Sequence, residues 1–179
     1  MTTNTFLGIP VDGDIVRGDR KPGQRPLEDL SPLIQAVLDD DGIACFGWHQ
    51  FTPYFNDGEP CVFGARGVWA ARHEDIAKAG TGDDEEQEFD KDDLMVDYGS
   101  PLGLYHGGQW VNDPSDPTRR NLVGARYEGP DQARYDRCKA LSDAVGSGQF
   151  DDVLLEAFGD HAEITVRRSG ITVEFYAHD

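Results

Sequence analysis

Cysteine is scarce in this 179-residue sequence, which holds only Cys45, Cys61 and Cys138. No two of them form the CxxC pair that zinc ribbons and many redox sites use. An odd number of widely spaced cysteines also does not fit the disulfide framework of a small secreted protein. We therefore expect free thiols and a reducing compartment, the cytoplasm.

Positive charge is the second shortage. Sixteen Lys and Arg residues stand against 34 Asp and Glu residues, so the formal net charge is -18. Proteins recognise nucleic-acid phosphates and anionic membranes through Lys and Arg, and the composition therefore opposes direct binding to either. It favours a protein partner with a basic surface or a divalent cation. It also permits imitation of nucleic acid in the basic groove of another protein.

Long apolar runs and known catalytic signatures are missing as well. No stretch approaches the roughly 20 apolar residues of a membrane-spanning helix, and the N-terminus lacks a secretory signal pattern. A nucleophile elbow, an HExxH motif, a phosphate-binding loop and a dinucleotide fingerprint are absent. We expect a single domain over residues 1–179, with no membrane segment and no cofactor except a possible divalent metal. The pattern favours a protein that is not an enzyme.

The segment 48–61, WHQFTPYFNDGEPC, is the densest local pattern. Asp57-Gly58 is a typical two-residue hairpin turn, and strand-like residues flank it on both sides. That turn places Phe46 opposite Trp69 on an aromatic core face. The polar residues either form a solvated tip or converge on a binding site. The candidate binding residues are Trp48, His49, Gln50, Tyr54, Asn56, Asp57 and Glu59.

Three helices are predicted from apolar spacing and end signals. In the first, Ser31 is the expected N-cap and Pro32 the first helical residue. The acidic residues 39–41 form either a solvated helix end or a functional acidic tip. The second begins near Pro130, and the third covers about 151–158. Together with two hairpins, these elements predict an α+β fold, a mixed or antiparallel sheet with about three helices packed on it.

The second hairpin lies at the C-terminus, where two alternating segments flank Ser169-Gly170. With that dipeptide as the turn, Val166 pairs with Val173, and the histidines at the open end face each other. Two imidazoles beside carboxylates are possible ligands for zinc or another divalent ion. The alternative is an exposed strand end without a ligand. The candidate metal residues are His161, Glu163 and His178.

Residues 80–93 form an acidic run with eight Asp and Glu residues and one Lys. A like-charged run of this density resists compaction, so we predict a flexible loop within the single domain. The run is either a solvated insertion or a contact surface for a basic partner. Its candidate contact residues are Asp83, Asp84, Glu85 and Glu86.

Two motifs carry a resemblance. The string W-x-Q-[FY]-T-P-Y-F-N-D-G-[DE]-x-C spans residues 48–61, and a D-H…R-x-G…Y-x-H-D pattern closes the chain. Both resemble motifs of an uncharacterised family of bacteriophage and bacterial proteins. The resemblance implies a phage or prophage origin and supplies no catalytic residues.

These observations lead to one main functional hypothesis and two alternatives. The main hypothesis is a non-enzymatic, acidic, phage-type accessory protein in the cytoplasm of a bacterial host cell. It would bind a host or phage macromolecule, for example to inhibit a host factor or a defence system, including by nucleic-acid mimicry. The alternatives are a metal-dependent enzyme or metal-binding domain, and a structural component of the virion. The sequence leaves the oligomeric state open.

Overall fold

The computed structural model describes residues 4–13, 15, 24–55, 61–79, 90–97, 101–114 and 120–177. Its elements in chain order are β1 (Asn4–Phe6), β2 (Ile9–Gly13), α1 (Leu27–Leu38), β3 (Ile43–Phe51), β4 (Gly64–Arg72), α2 (His73–Ala79), a 3₁₀ turn (Asp92–Leu94), β5 (Leu104–His106), β6 (Gln109–Asn112), β7 (Arg120–Val123), β8 (Arg126–Glu128), α3 (Gln132–Gly146), α4 (Asp151–Phe158), β9 (Ala162–Arg167) and β10 (Gly170–Phe175). Within these residues, six strands form one sheet in the order β1-β2-β10-β9-β3-β4. All neighbours are antiparallel except β2 and β10. The α+β class and the mixed sheet are confirmed.

One face of the sheet holds the main core. Helices α1, α3 and α4 bury their apolar residues against strand residues such as Phe46, Trp48 and Ile164. Trp48 and Phe158 meet edge to face, with ring centroids 5.7 Å apart. A smaller cluster of Cys45, Trp69, Ala71 and Leu94 is separate from this core. The sheet therefore buries apolar side chains in two places, and most of them lie under the helices.

Helix α1 starts earlier than the sequence pattern indicates. It runs from Leu27 to Leu38 with Pro26 as its N-cap, so Pro32 lies inside the helix rather than at its first position. The residues added to its start favour the helix because Leu30 is fully buried. Acidic residues in its first turn also interact favourably with the positive end of the helix dipole. Together these contributions outweigh the hydrogen bond that Pro32 cannot donate.

The acidic end of α1 is solvated at Asp39 and Asp41, as predicted, but not at Asp40. Asp40 is buried and forms ion pairs with Arg134, at 3.1 Å, and with Arg137. Its carboxylate also accepts a 2.9 Å hydrogen bond from the Gly42 N–H. The guanidinium of Arg168 donates to the carbonyl oxygen of Asp40 at 2.8 Å. Asp40 therefore joins α1 to α3 and to the C-terminal hairpin.

The predicted register of the central hairpin is right from Phe51 to His49 and at Ile43, and wrong between them. His49 pairs with Arg66 as expected, but Phe46 pairs with Ala70 rather than with Trp69. The register shifts at a bulge at Gly67, whose φ of +64° is in the left-handed region. One extra residue in β4 moves the following side chains to the opposite faces. Trp69 therefore belongs to the smaller cluster and not to the main core.

The C-terminal hairpin forms with a turn one residue earlier than predicted. Val166 pairs with Ile171 and Arg167 with Gly170, so Arg168 and Ser169 are the turn residues. Moving the turn by one residue changes each cross-strand partner by two residues. Each side chain keeps its expected face because the side-chain period of a strand is two. The displacement changes the open end of the hairpin. There the backbone N–H of Tyr176 donates to the carbonyl oxygen of His161 at 2.8 Å.

Candidate functional site

A polar cluster lies on the sheet face opposite the main core. Strands β3 and β9 pair with His49 directly opposite Glu163. The Nε2 atom of His49 lies 3.3 Å from a carboxylate oxygen of Glu163. The ammonium group of Lys91, from the segment before the 3₁₀ turn, forms an ion pair with the other oxygen. We call His49, Glu163 and Lys91 the His–Glu–Lys cluster.

Burial sets the state of the imidazole in this cluster. Desolvation lowers the pKa of His49, and the charge of Lys91 acts in the same direction while that of Asp92 opposes it. His49 is therefore neutral at pH 7. A neutral imidazole can donate one N–H to Glu163 while its other nitrogen is an acceptor. Lys91 also lies above the Trp69 ring, 5.6 Å from its centroid, so the segment that carries it covers the smaller apolar cluster.

Tyr176 connects this cluster to an open groove. Its ring stacks on the imidazole of His49, with centroids 4.2 Å apart and an angle of 11° between planes. Tyr176 also lines a groove of about 740 Å³. The residues that line it are Phe51, Pro53, Tyr54, Phe55, Arg66, Tyr176 and Ala177. We call these seven residues the aromatic groove.

The aromatic groove exposes an unusual amount of ring surface. Tyr54 and Phe55 are 67% and 78% exposed, although large apolar side chains are usually buried. The ring of Tyr54 stacks on His161 at 4.9 Å, which fixes it at the rim. The guanidinium of Arg66 lies 4.3 Å from the centroid of Phe51. The groove thus combines exposed aromatic rings with one cation already bound to a ring.

The residues predicted to bind a partner differ in their exposure and in the part of the structure to which they belong. His49 is in the His–Glu–Lys cluster and Tyr54 is in the aromatic groove, whereas Trp48 and Gln50 are fully buried. Gln50 accepts a 3.1 Å hydrogen bond from the Trp48 indole N–H and donates to backbone carbonyls at both ends of the segment 154–159. A partner cannot reach either of these two side chains. Their position is explained by the anchoring of α4 to the sheet.

The other predicted residues lie outside the part of the chain that the structure describes. In the hairpin these are Asn56, Asp57 and Glu59. In the acidic run they are Asp83, Asp84, Glu85 and Glu86, and at the C-terminus His178. The predictions for these residues stay predictions. The flexible loop was predicted over residues 80–93, of which 80–89 lie outside the described part, whereas Lys91 pairs with Glu163 and Asp92 begins the 3₁₀ turn.

The predicted metal residues do not come together in the described part of the chain. Glu163 contacts His49 and Lys91, whereas His161 stacks on Tyr54. Because of the displaced register, His161 lies opposite Tyr176 rather than opposite His178. Among the described residues, no three His, Cys, Asp or Glu side chains are placed to hold a metal ion. A site that includes His178 stays a prediction.

Two of the three thiols are unsuited to act as nucleophiles. Burial raises the pKa of Cys45 and raises that of Cys138 to about 12. Both are therefore protonated at neutral pH, and the thiolate is the reactive form. Cys61 is exposed.

Sequence reasoning missed several residues of this region, namely Phe51, Arg66, Lys91 and Tyr176. Strand alternation puts Phe51 and Arg66 on the same sheet face as His49, and this is the signal that could have identified them. No local signal points to Tyr176 or Lys91. Each reaches its place through long-range pairing, of β9 with β3 and of the segment at Met95 with β4.

Comparisons with protein-family models, with curated proteins and with solved structures find no match to this chain. In the described part of the chain, no helix is both long and apolar enough to cross a membrane.

Proposed function

We propose that this protein is a non-enzymatic binding protein that takes up a segment of a macromolecular partner in the aromatic groove. The observation that carries this proposal is the exposure of Tyr54 and Phe55 around one open groove. Exposed apolar patches in soluble proteins mark interaction surfaces. Tyr, Phe and Arg, the main residue types of this groove, are also enriched at protein–protein interfaces.

The partner that fits this groove is a protein segment with Lys or Arg side chains. The net charge of -18 attracts a basic surface over the range of the Debye length. Aromatic faces bind ammonium and guanidinium groups, and Arg66 over Phe51 is an internal example of this contact. Exposed Glu174, two residues before Tyr176, adds a carboxylate near the groove.

The resemblance of the two motifs supports a bacteriophage or prophage setting for this activity. In that setting the protein acts in the cytoplasm of a bacterial host cell as an accessory protein. A basic host protein occupied by an acidic phage protein is one that ordinarily contacts nucleic acid or another acidic surface. Inhibition of a host factor or a defence system, including by nucleic-acid mimicry, is the consequence we propose.

The test is affinity capture from a bacterial lysate, followed by titration of the purified partner. The groove variant combines Tyr54→Ala with Phe55→Ala, both at exposed positions where folding is not at stake. Truncation of central aromatic contacts costs about 2 kcal/mol or more, so we expect at least about a tenfold loss of affinity. A matched control combines Trp110→Ala with Val123→Ala, two exposed apolar residues outside the groove, and it should bind like the wild type.

Two further samples separate the groove from the other hypotheses. A variant without residues 81–89 tests the acidic run and leaves Lys91 in place. Metal analysis of the purified protein tests the metal-binding alternative, because a stoichiometric ion that is lost in His161→Ala would support it. Detection of the chain in purified virions would support the structural alternative. Equal capture by the groove variant and the wild type would contradict the proposed function.

A further inference from the structure

A β-ribbon projects from the fold between residues 104 and 128. Strands β5 and β8 pair with Leu104 opposite Glu128, and strands β6 and β7 pair with Gln109 opposite Val123. The two small sheets therefore share one register and form one antiparallel hairpin. It is interrupted where Gly107, Gly108 and Gly124 adopt positive φ. We call the described residues 104–114 and 120–128 the arm, and its outer part, β6 with β7, the ribbon.

The base of the arm is firmly attached to α3. Tyr105, Tyr127 and Tyr135 pack together with ring centroids 5.6 Å apart. The hydroxyl of Tyr105 donates to Asp136 at 2.9 Å, and that of Tyr127 donates to the carbonyl oxygen of Leu102 at 2.5 Å. The direction in which the arm leaves the fold is thus set by a packed and hydrogen-bonded base.

The ribbon, in contrast, is exposed at all eight of its positions. Trp110 is 60% exposed with Leu122 opposite, and Val123 is 56% exposed on the other face. Apolar side chains therefore occupy both faces of a two-stranded sheet, and within the described residues β6 pairs only with β7. An isolated two-stranded ribbon is only marginally stable in water. A further strand would add both hydrogen bonds and apolar contacts.

Strand β6 is the edge that accepts a further strand most readily. Its sequence, Gln-Trp-Val-Asn, contains no charged residue and no proline. Natural edge strands usually carry charges, prolines or bulges that prevent pairing with another chain. Strand β7 begins with Arg120. A symmetric pairing of β7 with a second β7 would bring two arginines into one four-residue strand pair, where like charges are destabilising.

The charge distribution indicates what pairs with β6. The arm contains two basic residues (Arg120, Arg126) and two acidic ones (Asp113, Glu128), so its net charge is zero. The rest of the chain therefore carries the whole charge of -18. A basic partner is attracted to that acidic remainder and not to the neutral arm. Two copies of this chain therefore repel each other least when they meet through their arms.

We propose that the arm is a self-association surface, in which β6 pairs antiparallel with β6 of a second copy about a two-fold axis. The pairing joins the two ribbons into one four-stranded sheet and keeps the acidic remainders at its outer ends. Such an isologous contact is closed and stops at the dimer. A contact made through one four-residue strand of each copy is small beside the roughly 800 Å² per partner of a standard interface, so we expect a dissociation constant on the order of 10 μM to 1 mM.

Sedimentation velocity of the full chain tests this proposal at concentrations from about 5 μM to about 500 μM, the range expected for a small interface. The wild type should shift from monomer to dimer. Val111→Lys places a charge on β6, and the like charges of two copies then meet in the strand pair. We expect its dissociation constant to rise by about tenfold or more.

The matched control is Asn121→Lys on β7. Asn121 is the cross-strand partner of Val111, so the control adds the same charge to the same ribbon face but not to the pairing edge. It should dimerise within about twofold of the wild type, and circular dichroism should show that both variants fold. A wild type that stays monomeric throughout overturns the proposal. So does a Val111→Lys variant that dimerises normally, or an Asn121→Lys variant that is equally impaired.

Discussion

Asp40 is a buried residue whose ionisation stabilises the described fold. Burial opposes its charged form, but hydrogen bonds from Arg134, Arg137 and the Gly42 N–H outweigh burial and lower the pKa to about 2. We expect Asp40→Asn to lower the free energy of unfolding by about 1–2 kcal/mol at pH 7, because two guanidinium groups lose their anion. Urea unfolding measures this difference.

The same substitution predicts a distinct pH dependence. The pKa of the Asp40 carboxyl is lower in the folded than in the unfolded chain. The ionised carboxyl therefore stabilises the fold fully above the unfolded pKa of about 3.9. It is lost as the pH falls toward 2. The difference in the free energy of unfolding between wild type and Asp40→Asn should therefore shrink below about pH 4. Asp41→Asn is the control, since the Asp41 side chain is fully exposed. A difference that is constant with pH would contradict the assignment.

Gln50 illustrates why some side chains of the site could not be assigned from sequence. A polar residue between aromatics on a strand is as consistent with a surface contact as with a core hydrogen bond. The partners of its amide are carbonyls more than 100 positions away, at Leu154 and Gly159. The same holds for His49, because its contact with Glu163 exists only through the pairing of β3 with β9.

At the scale of elements, local rules were sufficient where the deciding interactions are local. Alternation predicted β9 and β10 with the correct faces. The start of α3 was predicted at Pro130-Asp131, and Asp131 does accept a hydrogen bond from the Arg134 N–H as N-cap. The rules were wrong where tertiary contacts decide, as at the start of α1. The bulge in β4 was also missed, because a single Gly in a strand has several structural explanations.

The bulge at Gly67 leads to a prediction about that element. Its φ of +64° disfavours any side chain, although a Cβ atom there would meet only ordinary contacts, at 3.4 Å from His49 and Met95. We expect Gly67→Ala to lower the free energy of unfolding by about 1 kcal/mol because of backbone strain alone. The measurement is denaturant unfolding followed by the fluorescence of the tryptophans, one of which, Trp69, lies just beyond the bulge.

The control for this prediction makes the same substitution where the backbone permits it. Gly146 is the last residue of α3, and nothing lies within 4 Å of an added Cβ atom. Ala is preferred over Gly in helices by about 0.5–1 kcal/mol, so Gly146→Ala should be neutral or stabilising. If both variants lose the same stability, the loss is not due to the left-handed conformation of Gly67.

For the whole molecule, the separation of charge and apolar surface distinguishes the two proposed interactions. The acidic remainder attracts a basic partner to the aromatic groove, and the same charge repels a second copy that approaches along the neutral arm. Salt screens both forces, since the Debye length falls from about 14 Å at 0.05 M to about 4 Å at 0.5 M. The two interactions should therefore respond to salt in opposite directions.

We expect this change in salt to weaken partner binding by about tenfold and to tighten the arm dimer severalfold, because attraction is screened in one case and repulsion in the other. Titration of the captured partner and sedimentation of the chain alone, in the same two buffers, measure both effects. The Tyr54→Ala, Phe55→Ala variant should retain the salt response of the dimer, and Val111→Lys should retain that of partner binding. If both interactions weaken together, a single acidic surface accounts for them and the division between groove and arm is wrong.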